Sequence, residues 1–315
     1  MSQTLILQPE AEPICYAAML LSQGRLVGMP TETVYGLAAD ARSGAAVAAI
    51  YEAKERPAFN PLIIHAPDAD AAAAIGVFTD EARALADAFW PGPLTLVVEL
   101  RDGAGIASLA TAGLSTVALR VPAHPVAREL LRVFGGPLAA PSANPSGRIS
   151  PTTARHVLDG LGERVAAVLD AGPCAVGVES TIIGLAGGAP TLLRPGGLPA
   201  EEIEAVLGRK LAAAPAHHKT PSAPGQLLSH YAPRARLRMN AEAPLPGEYM
   251  IGFGETPGDD TLSASGDLTE AAARLFDALH RADRDGRDIA VAPVPETRLG
   301  RAINDRLRRA AAPRG

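Results

Sequence analysis

The sequence predicts an α/β protein: a largely buried sheet with flanking helices, followed by a smaller α/β unit. Three observations carry that prediction. Short apolar runs alternate with helical patterns of about ten residues over the first two hundred positions. Residues 209–232, "RKLAAAPAHHKTPSAPGQLLSHYA", lose all periodicity and read as a linker. After it, strand-like and helix-like runs resume. The length of 315 residues accommodates about two domains. We therefore divide the chain into 1–208, a linker at 209–232, and 233–315.

In chain order, residues 13–23 form an amphipathic helix stopped by Gly24. "RLVGMP" is a strand. "SGAAVAAIYEAKER" is a helix with Ser43 at its N-cap. "PLIIH" is a strand ending in His65, and "TDEARALADAFW" a helix capped by Thr79. "LTLVVEL" and "TVALRVP" are strands. "HPVARELLRVF" is a helix ended by Gly135 and Gly136, and "PLAAPSANPSG" a strand running into a polar loop. "SPTTARHVLDGL" is a helix with Pro151 near its first turn. "AAVLD", "STIIGL" and "TLLRP" are strands, and "PAEEIEAVLG" is a helix. Past the linker come strands at "ARLRMN", "EYMIGF", "TLSAS" and "DIAVAPV", a helix from Leu268 to about Arg284, and a last basic helix that reads as a solvated one.

Composition narrows the function. The chain is 47% hydrophobic and 4% aromatic, so its cores are aliphatic. No apolar run reaches the roughly 18 residues of a membrane span, and "MSQTLILQPE" lacks the pattern of a signal peptide. Two distant cysteines, Cys15 and Cys174, suit a cytoplasmic protein and argue against a zinc site. Residues 1–208 carry 13 Lys/Arg against 21 Asp/Glu, a net of −8, while 209–315 carry a net of +3. Strong nucleic-acid binding is not expected of the acidic part.

Phosphate-loop, nucleophile-elbow and zinc-protease signatures are absent. Instead, polar groups stand just past apolar runs: Thr31 and Thr33, His65, Arg120, Ser142 with Asn144, Ser180 and Arg194. Singly, the arginines fit surface ion pairs as well as a site. Their shared placement at strand ends is where α/β sheets bind ligands. Lys54 is the only lysine among the first 208 residues of an arginine-based chain, and sits in "KERPAFNPL" with Arg56 and Asn60. The bland reading is a basic helix C-terminus favoured by the dipole; the lone lysine points instead to a place for a compact ammonium rather than a guanidinium fork. Cations, hydroxyls and an asparagine together suit a nucleoside triphosphate beside a small carboxylate, and no residue looks like an activated nucleophile.

"PTETVYGL", "KERPAFNPL", "FWPGPLTLV", "STVALRVPAHP", "APSANPSGRISPT", "VESTII" and "LLRPGG" closely resemble the Sua5/YciO/YrdC family, in order. "APGQLLSHYAPRARL" is similar to the linker of the long Sua5 type. The resemblance implies a YrdC-like twisted mixed sheet and a Rossmann-like C-terminal domain. It implies L-threonylcarbamoyladenylate synthesis from L-threonine, bicarbonate or CO2, and ATP with Mg2+, feeding a downstream transferase machinery that modifies tRNA. By motif position, Thr33, His65, Arg120, Ala140 and Ser180 would surround threonine. Arg56, Asn60, Thr116, Ser142, Ser150 and Arg194 would hold ATP, with Tyr231 closing over it and Lys54 and Arg56 acting at the phosphates. Mg2+ would be held by phosphate oxygens rather than by the protein. Glu55 stands where many relatives carry glycine. Two rivals are a double-stranded RNA or tRNA-binding module without synthase activity, and a carbamoyl-adenylate step like that of hydrogenase-maturation domains. The net of −8 weighs against the first, and the count of two cysteines against the second.

Overall fold

A computed structural model of the chain describes residues 4–57, 60–214 and 230–313. The first part runs β1 (Leu5–Leu7), α1 (Ala11–Ser22), β2 (Val27–Met29), β3 (Gly36–Asp40), α2 (Gly44–Lys54), β4 (Ile63–His65), α3 (Ala69–Ile75), β5 (Gly76–Val77) and α4 (Asp80–Phe89). It continues with β6 (Leu94–Leu100), β7 (Thr116–Arg120), α5 (Pro125–Phe134), β8 (Leu138–Ala139), α6 (Ala154–Leu161), β9 (Ala167–Leu169), β10 (Thr181–Gly184), β11 (Thr191–Arg194), α7 (Ala200–Leu207) and β12 (Ala212–Ala213). Its strands build one mixed sheet in the order β1-β9-β2-β3-β8-β4-β7-β6-β10-β11-β12, with β5 on β6.

The expected caps form. Ser43 and Thr79 accept from Ala46 N and Ala82 N, and α5 ends at Gly135 in the left-handed region. Two helical layers cover the sheet. α1 and α5 enclose one core with Ile14, Leu21, Met29, Leu130, Leu131 and Leu138. Ile50, Leu85 and Val157, from α2, α4 and α6, join a larger core with Leu37, Ile64, Leu96 and Leu119.

Several elements depart from the sequence reading. β3 lies in a stretch to which the sequence reading gave no element; it is alanine-rich and buried on both faces, so it shows no alternation. β1 and α3 were not expected; Asp68 caps α3 by accepting from Ala71 N. α6 starts at Ala154 behind an N-cap at Thr153, later than the run read as helical from Ser150, with Pro151 just ahead of its first turn. The aperiodic reading of 209–232 falls mostly on 215–229, outside the described residues; within it, β12 adds a short parallel pair to β11.

The C-terminal part contains β13 (Leu237–Arg238), β14 (Glu248–Gly252), β15 (Asp260–Thr261), α8 (Leu268–Asp285), β16 (Asp288–Val291) and α9 (Leu299–Ala311). All its pairings are parallel, in the order β13-β16-β14-β15. Its core includes Phe276, Leu279, Ile289, Ile303 and Leu307, and extends to Val34, Ile149, Val178 and Tyr231 of the first part and linker, so the two parts share buried apolar surface.

Gly177 marks how closely they approach. Its φ is +74, and a Cβ there would stand 2.4 Å from the backbone of Ala273 in α8. Gly177→Ala combines a left-handed alanine with an overpacked interface, together costing about 1–3 kcal/mol. It should lower the thermal unfolding midpoint by several degrees in a circular-dichroism melt. An unchanged midpoint would contradict this close apposition.

Candidate active site

β4 and β7 are parallel neighbours, with His65 paired to Arg120 at their last residues. β6 is antiparallel to β7 and parallel to β10, and β11 is antiparallel to β10. The chain directions therefore bring the ends of β4, β7 and β11 to the start of β10. His65, Arg120, Arg194 and Ser180 converge there. The loop after β2 and the loop after β8 meet through a bridge between Gly36 and Ser142. Together they enclose one cavity lined by Thr31, Thr33, Arg56, His65, Arg120, Ala140, Ser142, Glu179, Ser180, Arg194, His230 and Tyr231, among others.

On one side the groups suit a small zwitterion. Thr31 Oγ1 donates to the Val34 carbonyl at 2.6 Å, which uses its single proton. Across the 2.8 Å contact, Thr33 is then the donor to Thr31, and its lone pairs are left to accept from an ammonium or hydroxyl. Arg120 is buried and donates from Nη2 to Glu32 Oε1 at 2.7 Å and from Nε to the Gly92 carbonyl at 3.3 Å. Its Nη1 has no protein partner among the described residues. Burial pushes the Glu32 pKa up, but the charge and hydrogen bond of Arg120 outweigh it and leave it below the usual value. Burial, then the Arg120 charge, lower His65 to about 3, so its ring is neutral at physiological pH. Ser180 Oγ lies 2.7 Å from Thr95 Oγ1 and accepts from Arg194 Nη2 at 3.3 Å.

On the other side the groups suit phosphate. Lys54 is 1% exposed, and Nζ donates to the Ser142 and Asn144 carbonyls at 2.5 Å each. It does not itself line the cavity; it pins the loop that does. Arg56 lines the cavity and donates to the Asn60 and Pro61 carbonyls at 3.3 and 3.1 Å. Burial lowers the pKa of both, that of Arg56 to about 10. Asn60 lies buried beside Arg56, its amide oxygen and nitrogen without partners among the described residues. Ser150 stands behind the wall, donating to Glu179 Oε1 at 2.5 Å. Tyr231 is buried with φ +62, a strained value for a tyrosine. The next residue, Ala232, donates to the Gly147 carbonyl at 2.8 Å, tying this segment to the polar loop.

Thr116 is not brought to the cavity. It begins β7, four residues before Arg120, about 13 Å away at strand rise, and lines a separate groove with Glu99, Leu100 and Asp102. Glu55 takes φ +54 as the C-cap of α2, the conformation that glycine adopts most easily, and pairs with Arg164 at 3.0 Å. The sequence reading missed Glu179 and His230 as cavity residues and Glu32 as the partner of Arg120, although all three stand inside quoted motifs. It also missed Arg306. The basic helix α9 is not simply solvated: Ile303, Arg306, Leu307 and Ala310 recur at helical spacing on a buried face.

The family profile described as "Telomere recombination" (Sua5, YciO and YrdC) matches residues 19–196. The one described as "Threonylcarbamoyl-AMP synthase, C-terminal domain" matches 198–312. The threonylcarbamoyl-AMP synthases of Bacillus subtilis and Pyrococcus abyssi are each 41% identical to the chain, covering 96% and 94% of it and 93% of their own lengths. The crystal structure of P. abyssi Sua5 complexed with L-threonine superposes with a TM-score of 0.89 at 39% identity, over 98% of both chains. Escherichia coli YciO, at 21% identity and a TM-score of 0.56, shares the fold over 62% of the chain.

The buried histidines set a pH dependence. His65 and His156 are both lowered to about 3, each chiefly by burial. Below an unfolded pKa of about 6.5 the unfolded chain binds protons that the folded one does not. Stability should therefore fall as pH drops from about 6.5 toward 3, starting above the range in which carboxylates contribute. Denaturant titrations at pH 7, 6 and 5 check this; equal stabilities at all three would contradict it.

Proposed function

The chain belongs to the Sua5/YciO/YrdC family, and from that premise we infer that it is an L-threonylcarbamoyladenylate synthase. It joins L-threonine, a one-carbon unit from bicarbonate or CO2, and ATP into threonylcarbamoyl-AMP, with release of pyrophosphate. The observation that carries this reading is one cavity whose wall pairs the Thr33 hydroxyl and the Arg120 guanidinium with buried Arg56, while buried Lys54 pins the adjoining loop; among the described residues both cations have only backbone carbonyls as partners.

The amine nitrogen of threonine bonds to the carbon of CO2 and gives up a proton, forming a carbamate. A carbamate oxygen then attacks the α-phosphorus of ATP, and the bond to pyrophosphate breaks. The substrate supplies the nucleophile, so the protein needs to align reactants and neutralise charge. Thr33 accepts from the amine or hydroxyl, and Arg120 Nη1 takes the carboxylate. Arg56 and Arg194 face the phosphates, while Lys54 fixes the carbonyls of the loop carrying Ser142. Rejecting serine rests on one methyl group, worth about 1–3 kcal/mol. The carboxylates in and beside the cavity fit no metal cage: Glu32 is committed to Arg120, and Glu179 to Ser150 and Arg306. Mg2+ therefore arrives on the nucleotide's phosphates, where it offsets their charge.

The cavity holds only about 40 Å³, against the 300–1,000 Å³ typical of ligand sites. Nucleotide binding then requires the segment carrying His230 and Tyr231 to withdraw and close again, protecting a water-labile carbamate and mixed anhydride. We place the reaction in the cytoplasm, with a transferase acting on tRNA as consumer of the product. The RNA-module alternative is disfavoured because the cations at issue are buried rather than arrayed on a surface.

Pyrophosphate release from ATP should require both threonine and bicarbonate; release that ignores either omission would reject the synthase reading. Arg56→Ala and Lys54→Met should each lower turnover tenfold or more while keeping the native far-ultraviolet spectrum. Wild-type rates in either variant would remove that residue from the site.

A further inference from the structure

Arg306 is the largest fully buried side chain among the described residues, and it comes from α9, far along the chain from the cavity it adjoins. Its Nε donates to Glu179 Oε2 at 2.8 Å, and its Nη1 to the Pro195 carbonyl at 2.6 Å and to Asp305 Oδ2 at 2.9 Å. The guanidinium carbon lies 5.3 Å from the centre of the Tyr231 ring. Apart from Asp305 on its own helix, each contact abuts a cavity residue. Glu179 lines the cavity and precedes Ser180, Pro195 follows Arg194, and Tyr231 is itself part of the wall. The other oxygen of Glu179 takes the Ser150 hydroxyl. One guanidinium thus braces three separate segments of the wall.

Stability alone does not explain it. Desolvating an ion pair is offset only when the geometry satisfies every group, and apolar replacements of buried pairs are often neutral. Here Nη2 of Arg306 has no partner among the described residues. Without the guanidinium, Glu179 would keep the Ser150 hydroxyl but would draw on the charge of Arg194, and so weaken the wall that the triphosphate must approach.

We propose that Arg306 is a positioning residue for the nucleotide: it neutralises Glu179 and fixes the backbone on either side of Ser180 and Arg194, so that the triphosphate meets a wall of net positive charge. The C-terminal domain thereby completes the active site through one side chain. This rests on the synthase reading above, and wild-type threonine-dependent pyrophosphate release, run alongside, tests that reading separately.

Arg306→Met in the full chain should raise KM for ATP about tenfold or more and KM for threonine less than threefold. Arg306→Lys, which keeps the charge and loses the fork, should give an intermediate KM for ATP. Adding Glu179→Gln to Arg306→Met removes the carboxylate's charge and should bring KM for ATP back to within about threefold of wild type. A packing role would raise both KM values together and would not respond to Glu179→Gln. An unchanged KM for ATP in folded Arg306→Met, or no recovery in the double variant, overturns the proposal. If Arg306→Met does not fold, the lysine variant and the double variant carry the same test: a wild-type KM for ATP in the first, or no recovery in the second, overturns it.

Discussion

Two cations, buried with no carboxylate partner among the described residues, are the constraint around which this molecule is arranged. Lys54 ends α2, and its ammonium is satisfied by carbonyls of Ser142 and Asn144; Arg56 follows and is satisfied by carbonyls of Asn60 and Pro61. Taking such charges out of water costs several kcal/mol each, even after relaxation. Backbone dipoles offset part of that cost without cancelling the charge. The loops that supply the carbonyls are held in place by the cations they solvate, and the site keeps positive potential in a low-dielectric setting where it acts strongly on phosphate.

The carboxylates follow a complementary rule. Glu179 lines the cavity and Glu32 pairs with Arg120 in its wall; burial pushes both pKa values up, but Arg120 outweighs it at Glu32, and Arg306 with Arg194 and the Ser150 hydrogen bond outweigh it at Glu179. Arg120 holds the first from within the same sheet, and Arg306 the second from the C-terminal domain. Neither acid is free to act as a base or to bind a metal. The cavity therefore offers cations and hydroxyls to its ligands, which is what adenylation of a self-supplied nucleophile requires. On the mechanism proposed above, catalysis is by positioning and calls for no reactive cysteine, serine or histidine.

Much of this was legible in the residues. A lone lysine in an arginine-based chain stood out because the substitution pattern itself is a signal, and polar residues closing apolar runs marked His65, Arg120 and Arg194. What stayed hidden had physical reasons. β3 is buried on both faces, so it carries no period-two pattern. Thr116 shares a strand with Arg120, and only the strand's direction reveals that they sit at opposite ends. Arg306 is one of several arginines on a basic amphipathic helix, and its partners Glu179 and Pro195 lie more than a hundred residues away. Long-range pairing of that kind leaves no local trace in the sequence.

The central claim, that buried cations give this cavity its preference for a polyanion, is tested most directly by calorimetric affinities of the unmodified protein for ATP and for adenosine under one set of conditions. The account predicts that ATP binds about a hundredfold tighter or more, some 2.7 kcal/mol of phosphate recognition. Equal affinities would contradict it.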